Sequence, residues 1–194
     1  MKKDKKIKKM AMMASLTALT VVLQLIANYI VIGTVSINLA LIPLVVAAIL
    51  YGPLGGGFIG LVIGALILTA PSTGFFLGHN ALATVFLCLL KTSLAGVVAG
   101  GLFRILKKFR LDVAVILSAL IVPIVNTALF FVGCLIWFLP LYGGTANEAV
   151  GAILSSIISI NFLIEFLMTA ILSPTLVYLI RVLDRRFSLE IVEE

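Results

Sequence analysis

Four polar side chains lie within long apolar runs of this chain, where they have the chemistry to bind a solute. Lys91 and Glu165 are ionisable, and Asn126 and Asn161 are amides. Asn161 and Glu165 are four residues apart and therefore share one face of a helix. Lys91 would attract an anionic group, while the amides and the carboxylate would hydrogen-bond the polar edges of the solute. Ionisable residues in such apolar surroundings are costly and indicate function by default.

A structural interpretation of the same charges is also open. Lys91 and Glu165 can form an ion pair that locks the helices together and contacts no ligand, since buried charges normally pair. The two interpretations are compatible if the pair opens when a solute binds.

Two further candidates, His79 and Asn80, lie where a loop meets the fourth predicted helix. Asn80 is a natural N-cap for that helix, and a lone His at this place is typical of a helix start. The preceding loop contains Phe75, Phe76 and glycines, which suits a lid. We therefore include His79 and Asn80 among the candidate substrate-binding residues.

Sequence motifs for catalysis or metal binding are not found. The chain has no HExxH, no phosphate-binding Gly-rich loop and no Cys/His cluster. Cys88 and Cys134 lie in apolar runs, where they are expected to act as small buried hydrophobes. The sequence thus predicts no enzyme, no metal site and no cofactor. Any active transport would draw its energy from a partner protein or an ion gradient.

The composition places these side chains in a membrane protein. Hydrophobic residues make up 62% of the 194 residues, charged residues 11%, and the mean hydropathy is +1.29. Soluble domains carry roughly 25% charged residues, so lipid must be the solvent for most of this chain.

The net charge of +6 reflects membrane anchoring rather than nucleic-acid binding. Thirteen basic residues flank apolar runs, as positive-inside anchors do: Lys2, Lys3, Lys5, Lys6, Lys8, Lys9, Arg104, Lys107, Lys108, Arg110, Arg181, Arg185 and Arg186. The sequence therefore predicts membrane lipid, and no nucleic acid, as a partner.

The apolar runs predict an all-α bundle of six transmembrane helices. Their ranges are about 10–32, 38–51, 53–71, 80–106, 112–139 and 150–183. With six crossings, the basic N-terminus (1–9), the basic loop 107–110 and the tail 184–194 share one side, whereas five crossings would place the basic tail outside. The positive-inside bias then makes both termini cytoplasmic. We expect one integral membrane domain, 1–194.

Small residues form stripes on two of these helices. Gly56, Gly60 and Gly64 recur every four residues on the third helix, which allows another backbone to approach closely. Ala11, Ala14 and Ala18 form a stripe, with Ser15, on the first helix. The alanine stripe suits either packing within the bundle or the docking of a partner helix.

These features resemble a known family. The size, the six predicted helices, the basic start and the AxxxA of Ala14 and Ala18 are similar to the S components of prokaryotic energy-coupling factor (ECF) vitamin transporters. These are the substrate-binding membrane subunits. The segments "INLALIPLVVAAILYGPLGGGFIGLVIGAL", "LLKTSLAGVVAGGLFRIL" and "NFLIEFLMTAILSPTLVYLI" look like the helices of that family.

The resemblance implies a function in the prokaryotic plasma membrane. Such a subunit captures a vitamin or related micronutrient from outside and delivers it through a coupling membrane protein that two cytoplasmic ATPases drive. It implies that Ala11, Ala14 and Ala18 dock onto the coupling protein. The deep lysine favours a solute with a carboxylate or phosphate. A stand-alone ion-coupled carrier and a non-transporting membrane scaffold are the alternatives.

Overall fold

α-Helices account for most of the chain that the computed structural model describes, which comprises residues 2–32, 35–36, 38–142, 145–157 and 162–187. The helices are α1 (Lys2–Ala27), α2 (Leu41–Ile67), α3 (Gly74–His79), α4 (Ala81–Leu106), α5 (Leu111–Gly133), α6 (Ala146–Ile157) and α7 (Leu163–Phe187). Short 3₁₀ turns lie at Pro71–Thr73 and Leu139–Tyr142, and a π-helical turn, Cys134–Phe138, extends α5.

Five of the described helical stretches are long and apolar enough to cross a membrane. They are Ile7–Ala27, Leu41–Ile67, Ala81–Leu106, Leu111–Leu141 and Leu163–Arg185. The chain is therefore a helical membrane protein, as its composition predicts.

Helix α2 contains both predicted helices 38–51 and 53–71 and reverses direction between them. Gly52 has a φ of +72°, which glycine tolerates because it has no Cβ, and Pro53 follows it. A Cβ added to Gly56 would lie 2.8 Å from the Cβ of Ala48. In a continuous helix these positions are about 12 Å apart. The two arms of α2, 41–51 and 53–67, consequently pack side by side.

Glycines bring the second arm of α2 against α4. The backbones of Gly56 and Gly96 touch, and Gly60 and Gly64 face the backbones of Thr92 and Cys88. A side chain at any of the three α2 glycines would overlap the facing backbone. The Thr92 hydroxyl also lies 2.6 Å from the Gly60 carbonyl. The predicted glycine face thus forms a backbone-to-backbone contact between α2 and α4.

The first predicted helix, 10–32, differs from the structure at both ends. Helix α1 begins at Lys2 and ends at Ala27. Val31–Ile32 then pairs as a short antiparallel strand with Val35–Ser36. β-Branched side chains favour such extended pairing, which the apolar pattern did not reveal.

The predicted helix 150–183 covers part of α6 and most of α7, and residues 158–161 between them lie outside the described residues. Glu165 lies in the first turn of α7.

Candidate functional site

A pocket lies between α1, α2, α4 and α5, at the end of the bundle where α1 ends and α4 begins. Its polar lining residues are Gln24, Asn38, Ser72, Thr73, Thr84, Lys91 and Asn126, and its apolar lining residues are Ile67, Phe76, Leu87, Cys88, Phe130 and Phe138. Asn38 and Ile67 come from opposite ends of α2, so the pocket depends on the reversal of that helix at Gly52.

Lys91 reaches the pocket from α4 and is 6% exposed. Its Nζ lies 4.4 Å from the centroid of the Phe130 ring, a cation–π contact. Within the described part of the chain, no carboxylate lies at ion-pair distance from Lys91. The ammonium group can therefore donate to an anionic ligand group.

Glu165 lies behind Asn38 and not among the residues that line the pocket. Its Oε1 accepts a hydrogen bond of 2.9 Å from the backbone N–H of Asn38. The Asn126 side chain also interacts with this buried carboxylate by hydrogen bonding, and Lys91 acts on it through its charge. The direct Lys91–Glu165 ion pair is thus not formed here, and Glu165 instead fixes the backbone of a pocket residue.

Asn126 lies on the same pocket as Lys91, but the other sequence candidates differ in position. His79 is exposed, with its ring centroid 6.1 Å from that of Phe138, and does not line the pocket. Asn80 caps α4 by accepting a 3.1 Å hydrogen bond from the N–H of Ala83. Asn161 lies outside the described residues.

Five polar pocket residues were not predicted as site residues: Gln24, Asn38, Ser72, Thr73 and Thr84. Gln24 pairs with Asn28, which also escaped prediction. Asn161 and Glu165 are polar residues four positions apart within an apolar run. Gln24 and Asn28 have the same spacing in another apolar run, so this pattern could have identified them from the sequence.

Unpartnered polar atoms concentrate around this pocket. In the part of the chain that the structure describes, the buried side-chain atoms without a hydrogen-bond partner are Gln24 Oε1, Asn38 Oδ1, Ser118 Oγ and Asn126 Oδ1. All but Ser118 belong to pocket residues. A buried acceptor without a partner costs about 1–3 kcal/mol, so a ligand that donates to these oxygens would recover that energy.

Aromatic rings form another part of the pocket wall. Phe76 of α3 makes edge-to-face contacts with Phe130, at 5.6 Å between ring centroids, and with Phe138, at 5.1 Å. The pocket volume is about 40 Å³, whereas ligand pockets typically measure about 300–1,000 Å³. A solute of vitamin size would therefore need more space than this pocket provides.

The alanine stripe lies away from the pocket, on the open face of α1. Ala11, Ala14, Ser15 and Ala18 are all exposed. In the most apolar stretch of α1 only 17% of the residues are buried, whereas 61% are buried in the corresponding stretch of α2. The stripe is therefore not used for packing among the described helices.

Within the described residues, no group of three or more His, Cys, Asp or Glu side chains is placed to hold a metal ion. The pocket therefore offers a lysine, amides, hydroxyls and aromatic rings as its binding chemistry.

Comparison with known proteins identifies a family. Residues 8–180 match the family model described as "ECF transporter, substrate-specific component". No curated protein and no solved structure matches the chain. The match spans all five long apolar helices apart from the extreme ends of the first and last. The chain belongs to the family of substrate-specific components of ECF transporters.

Proposed function

We propose that this protein is the substrate-capture subunit of an ECF-type importer in a prokaryotic plasma membrane. It binds a vitamin or related micronutrient from outside and passes it to a coupling membrane protein driven by two cytoplasmic ATPases. Family membership supports the role in substrate binding, and the pocket beside Lys91 supplies a place for it.

The proposal includes a topology of six crossings with both termini in the cytoplasm. The two arms of α2 each count as one crossing, which brings the basic segments at 2–9, 107–110 and 181–186 to one side. The arms are only about 16 and 22 Å long, shorter than the hydrocarbon core of about 30 Å. Protein shields them from lipid, because most of α2 is buried.

In this topology the pocket faces the extracellular side. Lys91 is ten residues beyond the first residue of α4, or about 15 Å from the outer surface, near the middle of the bilayer. A buried lysine at this depth, over an aromatic ring and without a carboxylate partner among the described residues, is the observation that carries the proposal. It favours a carboxylate-bearing solute.

Asn126 lines the same pocket, and Asn161 and Glu165 complete the proposed binding region, with Glu165 acting through Asn38. His79 and Asn80 belong to its rim. Docking to the coupling protein uses Ala11, Ala14 and Ala18, whose exposure on α1 leaves room for a partner helix.

Mass spectrometry of small molecules that co-purify with the detergent-solubilised protein tests this proposal. We expect a vitamin-like acid to be retained. Reconstitution into liposomes then separates the alternatives. Uptake only in the presence of the coupling protein and ATPases supports the proposal, whereas uptake by this chain alone indicates an ion-coupled carrier. Retention of no small molecule indicates a scaffold.

A further inference from the structure

Two buried amide side chains lie at the end of α1, and one of them lines the pocket. Gln24 and Asn28 are 1% and 2% exposed, on a helix whose other side is largely uncovered. Gln24 lines the pocket and Asn28 does not.

The hydrogen bonds of Asn28 determine how Gln24 is oriented. Asn28 Nδ2 lies 3.0 Å from the backbone carbonyl of Leu66 and 3.1 Å from the Thr69 hydroxyl oxygen. A backbone carbonyl only accepts, so Asn28 must turn its NH₂ group toward Leu66. Its Oδ1 then faces Gln24 and accepts from Gln24 Nε2 at 2.8 Å. This arrangement leaves Gln24 Oε1 buried, without a partner, in a residue that lines the pocket.

Two other pocket residues also present a buried acceptor without a hydrogen-bond partner. They are Asn38, just before α2, and Asn126, on α5, each through its Oδ1 atom. The residues that line the pocket thus supply three acceptors and one cationic donor, Lys91. The Thr84 and Thr73 hydroxyls donate to the carbonyls of Asn80 and Ile67, so they too are left as acceptors for a ligand.

From this arrangement we infer that the pocket selects an organic acid that is rich in hydrogen-bond donors. The acid group pairs with Lys91, and N–H or O–H groups on the rest of the molecule donate to Gln24, Asn38 and Asn126. Asn28 is a positioning residue that sets the acceptor polarity of Gln24. The inference rests on the proposed function, since it specifies the solute of that same pocket.

A panel of defined probes tests the solute class with the purified full-length protein in nanodiscs. Three acids with additional N–H or O–H donors are used: pantothenate, biotin and pterin-6-carboxylate. Panthenol, biotinol and pterin are their counterparts without the acid, and lipoate is an acid without such donors. Small molecules that co-purify with the protein are identified in parallel by mass spectrometry.

We expect a donor-bearing acid to bind, either from the panel or among the co-purified compounds. Its counterpart without the acid should bind at least about 100-fold more weakly, because a polar site rejects an analogue that leaves its groups unpaired. Binding of lipoate, or of an acid-free counterpart with equal affinity, would overturn the inference while leaving the proposed function intact. Absence of any bound compound in both measurements would contradict the proposed function itself.

The role of Asn28 is tested by a ratio of dissociation constants, that of the N- or O-methylated form of the bound acid divided by that of the acid itself. Asn28→Leu frees the Gln24 amide to rotate, so we expect this ratio to fall at least about tenfold. Thr69→Val is the matched control, because the Leu66 carbonyl still orients Asn28. Thermal unfolding without ligand verifies that both variants fold. An unchanged ratio in folded Asn28→Leu would refute the positioning role.

Discussion

At the residue scale, the pocket combines a cation with acceptors that lack partners. Lys91 is held over the Phe130 ring rather than against a carboxylate. A lysine buried in this way loses its hydration shell, and a cation–π contact replaces only part of the lost stabilisation. A ligand anion would supply the missing partner, which is why Lys91 dominates the expected binding energy.

Replacement of Lys91 provides the first prediction. Lys91→Met keeps an unbranched side chain, one atom shorter, and removes its charge. We therefore expect ligand affinity to fall about 10- to 100-fold, the size of a charge-assisted hydrogen bond. Isothermal titration calorimetry with the co-purified ligand measures this affinity. Lys108→Met, an exposed lysine in the 107–110 loop, is the control and should bind normally. Equal affinity in both variants would remove Lys91 from the site.

Replacement of Glu165 separates its positioning role from a role as a charge. Glu165→Gln still offers an oxygen to the Asn38 N–H, whereas Glu165→Leu leaves that donor buried without a partner. We expect the Leu variant to lose about 1–3 kcal/mol of stability and at least about tenfold in ligand affinity. The Gln variant should stay close to wild type in both. Thermal unfolding and titration measure the two effects, and a Gln variant as impaired as the Leu variant would show that the charge itself is needed.

At the element scale, the glycines of α2 and α4 let these two helices pack backbone against backbone. Gly96 touches the backbone of Gly56, while Gly101, on the same helix, has open space around it. The two positions therefore separate the effect of packing from the effect of helix propensity.

We predict that Gly96→Ala destabilises the protein and that Gly101→Ala does not. A methyl group at Gly96 overlaps the α2 backbone, which costs about 1–3 kcal/mol as overpacking. At Gly101 the same change should be neutral or slightly stabilising. Thermal unfolding in detergent, monitored by size-exclusion chromatography, measures the melting temperature of both variants. Equal melting temperatures would contradict the close α2–α4 contact.

The alanine stripe of α1 gives a prediction about the partner. Ala14→Trp places a large side chain on the exposed face, so we expect co-purification with the coupling protein to be lost while ligand binding stays unchanged. Ile26→Trp, exposed at the other end of α1, serves as the control. Retained complex formation by Ala14→Trp would rule out this face as the docking surface.

At the scale of the whole molecule, two hydrophobic clusters lie on either side of the pocket. One cluster, which includes Ala99, Phe103 and Val115, joins α2, α4, α5 and α7. The other, with Phe76 and Phe138, forms the aromatic wall of the pocket. Asp112 and Arg181 bond at 2.6 Å and tie α5 to α7 near the basic end. The pocket therefore lies beside the aromatic cluster, away from this ion pair.

Cysteine labelling tests the orientation of the molecule. In a Cys88→Ala, Cys134→Ala background, we expect a membrane-impermeant maleimide to label Thr145→Cys in intact cells. Lys108→Cys should react only after the membrane is permeabilised. Both introduced positions are exposed. The reverse pattern would invert the topology and place the pocket on the cytoplasmic side.

The sequence by itself determined the solvent, the family resemblance and two residues of the candidate pocket, Lys91 and Asn126. Apolar runs of membrane length and basic flanks follow from composition, because a bilayer core excludes charge. For the same reason Lys91 and Asn126 were recognisable as site candidates without any structure. The close glycine face of α2 was also predictable, since four-residue spacing fixes which residues share a face.

Only the tertiary structure decided which side chains meet. Asn38 and Glu165 are separated by 127 positions, and their contact depends on how α2 folds back at Gly52 and where α7 begins. Gln24 lines the pocket beside the end of α2, to which its hydrogen-bond partner Asn28 bonds. Helix periodicity specifies the face on which a residue lies, but the neighbour of that face is set by packing between distant segments, which no local pattern encodes.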